Sequence, residues 1–411
     1  MTDTSTAAGP LSGIRVIEFS HMVMGPSCGM VLADLGADVI KIEPAPAGDN
    51  SRRLTGAALG FYPTYNRNKR SVCLDMKTPE GFDFALSLIK TADVIVENFR
   101  PGAMEKLGLG PTAMIELNPR LVYCACKGFL PGPYEKRAAL DEVVQMMGGL
   151  AYMTGPPGRP LRAGASVNDI MGGVFGAVAV LAALRERDQT GKGSYVQSGL
   201  FETNMLLVAQ HMAYAAITGK DLPSFGDPAM GRPWPLYDIF ETADEDHPIF
   251  VGTVTLAQWR AFCEEFGFRN LLEDPELATM PMLAANRARI IAKVGALFRT
   301  LSKDELSARV EKLGLPFAPI ARPSELFEDP HMLASGGMMF TEMATAESAP
   351  GPAVQPVAGI PGLPISLDNG RRTLSRQPPR AGQHSAELAR EIGLSEDDIG
   401  KMIAAGTLIV A

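Results

Sequence analysis

Apolar and polar residues in the N-terminal half of the chain alternate between two periods. GIRVIEFS (13–20) and ADVIKIE (37–43) are short runs rich in β-branched residues. Between them GPSCGMVLADLG keeps small and apolar residues at helical spacing, opening at Gly25-Pro26 and closing at Gly36. The pattern recurs: FDFALSLIKTA (82–92) reads as a helix and DVIVENF (93–99) as a strand, and a helix over 111–117 leads into RLVYCACKGF (120–129). Strands that alternate with helices of this length predict an α/β fold, a parallel sheet with helices on both faces. The long apolar run 170–184 that follows Asp169, a GKGS turn at 191–194 and the strand-then-helix SYVQSGLFETNMLLVAQHM extend this first domain over 10–220.

The pattern breaks at KDLPSFGDPAMGRPWP, whose Pro and Gly mark a linker over 221–235. Beyond it HPIFVGTVTLAQWRAFCEEFG, NRARIIAKVGALFRTLS and SKDELSARVEKLGLPFAPI mix helical periods with short strands, which predicts a smaller α+β domain over 236–330. The remaining segment, 331–411, is Pro-rich and extended near 345–380 and ends in a short helix opened by Ser395 and Asp398 in a capping-box arrangement. No internal repeat is evident.

A formal charge of −8 without a basic block gives no footprint for nucleic acid or an anionic membrane. The start, MTDTSTAAGP, has neither a basic nor an apolar run, and the run 170–184 is shorter than a bilayer crossing needs, so a cytoplasmic protein is expected. Of the five cysteines, Cys124 and Cys126 share one face of a strand, and buried, reduced thiols are expected. The first strand is followed by HMVMGP rather than GxGxxG, which argues against a dinucleotide site of the usual kind.

In chain order, LSGIRVIEFSHMVMGP, LGADVIKIEP, NRNKRSVCLDMKTPEG, VIVENFRPGAMEKLGL, the Asp169 segment, GKGSYVQSGLFE and GLPFAPI with EDPHM resemble the family III CoA transferases, the CaiB/BaiF type, over nearly the whole chain. The likeness is greatest to the succinyl-CoA-dependent dicarboxylate CoA transferases. It implies a large Rossmann-like CoA-binding domain, a small domain, a C-terminal segment that returns to the large one, and two chains interlocked in a homodimer. No metal and no tightly bound cofactor are implied. Coenzyme A enters as substrate and product, with small carboxylic acids as the other partners.

By itself, Asp169 ahead of an apolar-periodic run reads as a helix cap, worth about 1 kcal/mol. The resemblance instead makes it the nucleophile that attacks an acyl-CoA thioester, forming an aspartyl anhydride and then an aspartyl-CoA thioester. Gly172, Gly173 and Gly176 would allow a pantetheine arm close approach, or serve helix packing. Asp141 is similar to an acidic position of the acyl site, preceded by Leu140 where the racemase branch has a histidine, and Val23 stands where the formyl-CoA branch has a glutamine. CoA contacts are implied at His21, Met22, Met24, Leu74, Lys77, Asn98, Phe99 and Lys106. Arg52, Arg67 and Arg162 are candidates for holding a distal carboxylate of a dicarboxylic substrate. Transfer of CoA from succinyl-CoA to a small dicarboxylate is the expected reaction. An acyl-CoA racemase or isomerase and a non-catalytic acyl-CoA-binding protein are the alternatives.

Overall fold

The structure, a computed structural model, describes residues 9–227, 234–343, 357–368 and 370–411; linker residues 228–233 and residues 344–356 of the extended segment lie outside them. The chain divides into two compact units, 1–224 together with 330–411, and 225–329.

In the larger unit the short apolar runs form β1 (Arg15–Phe19), β2 (Asp38–Pro44), β3 (Arg70–Leu74), β4 (Val94–Glu97), β5 (Val122–Lys127) and β6 (Tyr195–Gly199). The smaller unit contains an antiparallel sheet of β7 (Leu236–Phe240), β8 (Ile249–Thr253) and β9 (Phe317–Pro319), packed on a core that includes Trp259, Phe262 and Phe298. The last segment adds the antiparallel pair β10 (Met338–Glu342) and β11 (Val357–Pro361), and then β12 (Leu408–Ile409). The main sheet has the order β12-β3-β2-β1-β4-β5-β6, with β12 antiparallel to β3 and the other pairs parallel. The chain winds outward in both directions from the β1/β4 junction, and in open α/β sheets such a switch point opens a crevice at the carboxyl ends of the strands.

Both faces of the sheet are covered, as parallel strands require. Val16, Val39, Val94 and Val122 pack with the helices Met24–Asp34 and Val167–Thr190, while Ile17, Ile40 and Ile95 pack on the other face with Phe84 and Leu88 of the helix Pro79–Lys90. The C-terminal segment is tied to this unit by more than β12. Cys73 N donates to Ser385 Oγ (3.2 Å), Ser71 N to His384 Nδ1 (3.1 Å), and the Arg70 guanidinium meets Glu387 (2.8 Å) and Glu391 (2.5 Å).

The strands also carry charges into the core. Lys41 Nζ lies 3.3 Å from Glu18 Oε1 and 2.9 Å from Asp49 Oδ2 and donates to the Ser20 carbonyl at 2.6 Å, while Lys69 Nζ lies 2.7 Å from Glu18 Oε2. All four side chains are buried. Burial lowers the Lys69 ammonium to about 8 even with Glu18 beside it. Removing one member of such a group strands a charge in the core, which is why the cluster acts as a unit.

The helix Val167–Thr190 begins two residues before Asp169, not after it, and ends at Gly191 in the left-handed region. Its length and composition would suffice to cross a bilayer; here one of its faces is packed on the Met24–Asp34 helix. At Gly173 a Cβ would sit 2.5 Å from the Met24 carbonyl oxygen and 2.6 Å from Ser27 Cβ. Gly172 lies under Met24, and Gly176 faces the sulfurs of Cys28, Cys124 and Cys126. The glycines therefore serve helix packing. The three thiols are free and buried, with Sγ atoms within 4.8 Å of one another.

Helix propensity alone would make Gly173→Ala stabilising by about 1 kcal/mol. The backbone contact reverses the sign: denaturant unfolding should show a loss of about 1–3 kcal/mol. Unchanged or raised stability would contradict the close helix pair.

Candidate active site

Asp169 occupies the first turn of the Val167–Thr190 helix, where unpaired backbone N–H groups need acceptors. The N-cap residue, Ser166, makes no side-chain cap bond. The acceptor comes from a distant segment. Asp141 Oδ1 accepts from Asn168 N (2.7 Å) and Asp169 N (3.2 Å), and its Oδ2 accepts from Gln145 Nε2 (2.5 Å). Gln145 in turn accepts Ala163 N at 2.7 Å, which fixes the loop leading into the helix. Capping thus belongs to Asp141, which is buried, and not to Asp169. Asp141 therefore has both oxygens engaged internally. Leu140 before it is 65% exposed.

The Asp169 carboxylate accepts no hydrogen bond from any described residue. Its pKa is pushed up to about 7, first by burial and then by the charge of Asp141. A helix N-terminus favours the anion, and these terms outweigh it. Tyr65, at the end of the short helix Phe61–Tyr65, has its phenol raised by burial and by the charge of Asp169. No sequence motif marks it.

A second group forms at the strand ends beside the switch point. His21 follows β1 and Asn98 and Phe99 follow β4. Asn98 accepts His21 N (3.0 Å) and donates to the His21 carbonyl (2.8 Å), and the His21 and Phe99 rings lie 5.5 Å apart. Met22, next in the chain, adopts φ +64°, an uncommon conformation for a residue with a side chain. Gly25 is required here, because a Cβ would stand 2.9 Å from Asn98 Cγ and 2.6 Å from Ser20 Cβ. Met24 is buried with its side chain against Gly172, so it links this group to the helix that carries Asp169.

Other sequence-derived candidates are placed differently. Val23 and Leu74 are each 1% exposed, inside the core, and present no surface to a ligand. Lys77, after β3, and Lys106, ending the helix Ala103–Lys106, are exposed. Arg52 grips Glu43 through two bonds of 2.7 and 2.6 Å and lies 3.8 Å over the Tyr62 ring. Arg67 is buried on Asp34 at 2.7 Å. Both guanidinium groups are committed within the fold and are unavailable to a substrate carboxylate. Arg162 is the one of the three with solvent access; it pairs with Glu142 and donates to the Ala163 carbonyl beside the Asp169 helix.

Comparison with known proteins agrees with this arrangement of the sheet. The family described as CoA-transferase family III matches residues 11–385. A succinate–glutarate CoA-transferase of Agrobacterium fabrum is 32% identical over 95% of this chain and 98% of its own. The human succinyl-CoA:glutarate CoA-transferase is 30% identical over 97% of this chain and 90% of its own. Among solved structures, a CaiB/BaiF family protein from Brucella suis superposes with a TM-score of 0.81 at 30% identity, covering 94% of this chain and all of that one. With the match running almost from end to end, the chain belongs to CoA-transferase family III and is an enzyme of that class.

Proposed function

We propose that this enzyme moves CoA from an acyl-CoA donor, succinyl-CoA by preference, to a small dicarboxylic acid, with Asp169 as covalent nucleophile. The observation that carries the reading is the Asp169 carboxylate, partly buried at a helix N-terminus and without a hydrogen bond from any described residue, while Asp141 does the capping. An Asp169 oxygen attacks the thioester carbonyl, the C–S bond breaks, and CoA thiolate leaves a mixed anhydride. The thiolate then attacks the aspartyl carbonyl and expels the donor acid as its carboxylate, which leaves an aspartyl-CoA thioester. The acceptor carboxylate attacks that carbonyl, releasing thiolate and forming a second anhydride. Thiolate attack on the acceptor's acyl carbon completes the new acyl-CoA and restores Asp169. Each step conserves an activated acyl bond, so no ATP is consumed.

The relatives named for succinyl-CoA with glutarate and with D-citramalate support a dicarboxylate reading of both acids. The engaged carboxylate of Asp141, with exposed Leu140 before it, offers no acid–base pair for proton exchange beside the thioester carbonyl, and this favours transfer over racemisation. The CoA moiety would lie along the His21–Met24 and Asn98–Phe99 segments at the strand ends, with Lys77 and Lys106 as cations for its phosphates. A homodimer is supported by the apolar surface of the helices Leu200–Leu207 and Ala209–Thr218, where Leu206 is 59% and Ile217 84% exposed.

Only ionised Asp169 is a nucleophile. With its pKa at about 7, kcat/KM for the acyl-CoA should fall with decreasing pH below neutrality and level off above it. A profile flat down to pH of about 5, as an ordinary carboxylate would give, would contradict the reading.

Arg162→Ala should raise the acceptor KM about tenfold, the size of one lost charge-assisted contact, with little change in stability. Arg52→Ala should instead cost about 3–5 kcal/mol of folding stability, because it strands Glu43 in the interior. An unchanged acceptor KM in Arg162→Ala would remove that arginine from the acid site.

A further inference from the structure

Behind the Asn98–Phe99 loop lies a buried ion pair with no part in the steps above. Glu97 closes β4 and Lys127 closes the neighbouring β5, and Lys127 Nζ stands 2.5 Å from Glu97 Oε1. The carboxylate is 2% exposed and the lysine side chain 11%. Burial pushes the Glu97 carboxyl up to about 7 although Lys127 opposes the shift. An ion pair so placed is costly to desolvate and is weak as a source of stability.

Its remaining contacts converge on one residue. Glu97 Oε2 accepts Phe99 N at 2.9 Å, and Lys127 Nζ donates to the Phe99 carbonyl at 2.9 Å. Both polar groups of Phe99's backbone are thus held by opposite members of one pair. The neighbouring Asn98 holds both backbone groups of His21. The chain of contacts runs from the Glu97–Lys127 pair through the Phe99 backbone and the Asn98 side chain to the backbone after β1. A loop at the carboxyl end of a strand would otherwise exchange these bonds for water.

We propose that Glu97 and Lys127 are positioning residues that hold the Asn98–Phe99 loop in its ligand-binding conformation, so that they set the affinity for the acyl-CoA and not the rate of the covalent steps. The inference rests on the reading that this loop binds CoA. Neither side chain touches reacting atoms; both act through the Phe99 backbone.

The test is steady-state kinetics of the full-length enzyme with succinyl-CoA and glutarate, for Lys127→Met, Glu97→Gln, the double variant, Lys127→Arg and Asn98→Ala, with thermal unfolding of each. Lys127→Met should raise the acyl-CoA KM by about tenfold or more, the scale of a lost charge-assisted hydrogen bond, while kcat and the glutarate KM stay near wild type. Glu97→Gln, which keeps the shape, should do the same. Because both act on one loop, the double variant should be no worse than the poorer single one. Lys127→Arg should recover most of the affinity, which a loss of folding stability alone would not explain.

If Asn98→Ala raises the acyl-CoA KM while Lys127→Met and Glu97→Gln leave it unchanged, the clamp is wrong and the loop's role in binding stands. If none of the three moves it, the loop does not bind CoA and both inferences fall. A fall in kcat with unchanged KM in the clamp variants would also overturn the proposal.

Discussion

The constraint on which the site depends is the bond between the Asp141 carboxylate and the first turn of the Val167–Thr190 helix. Two N–H groups of that turn, from Asn168 and Asp169, are satisfied by one oxygen 27 and 28 residues upstream in sequence. Any carboxylate in a helix's first turn is well placed to cap it, and one that does so has its lone pairs engaged. By supplying the acceptor from elsewhere, the fold leaves the Asp169 carboxylate without a bond among the described residues and sets a like charge beside it. Burial first, and that like charge second, bring the carboxyl group's pKa to about 7.

The same division between structural and free groups recurs around the switch point. Lys41 bonds the Ser20 carbonyl immediately before His21, Asn98 bonds the His21 backbone, and the buried Glu18 pairs with both Lys41 and Lys69. These charges are buried among otherwise apolar strands and fix the strand ends at the switch point. Backbone geometry at a ligand site has to be held to a fraction of an ångström, and a network of buried ion pairs is one means of doing so. Arg52 on Glu43 and Arg67 on Asp34 belong to this internal set.

Much of the sheet could be read from the chain, because β1, β2, β4 and β5 are short apolar runs set off by helical periods and β6 follows the GKGS turn, although the pattern does not mark β3. The strand order and β12 could not, since pairing partners leave no periodic trace and two residues are too few for a pattern. The motifs placed His21, Asn98 and Phe99 together, and the structure joins them. It was the arginines that misled. Loop arginines look solvent-facing in sequence, and nothing local reveals that Arg52 and Arg67 fold back onto carboxylates 9 and 33 residues away. The glycines of the Asp169 helix carry the same signal for ligand approach as for packing, and only the facing Met24–Asp34 helix decides between them. Likewise an acid ahead of an apolar run looks like a cap until Asp141 is seen in that role.

Covalent attachment of CoA to Asp169 is read out by the intact mass of the enzyme after incubation with succinyl-CoA. With Asp169 as the nucleophile, the mass increases by that of a CoA thioester, mapped by peptide analysis to the segment containing Asp169 and discharged by adding an acceptor acid. An enzyme that exchanges CoA between acids at full rate with no adduct at Asp169, or with the adduct on another residue, would contradict that role.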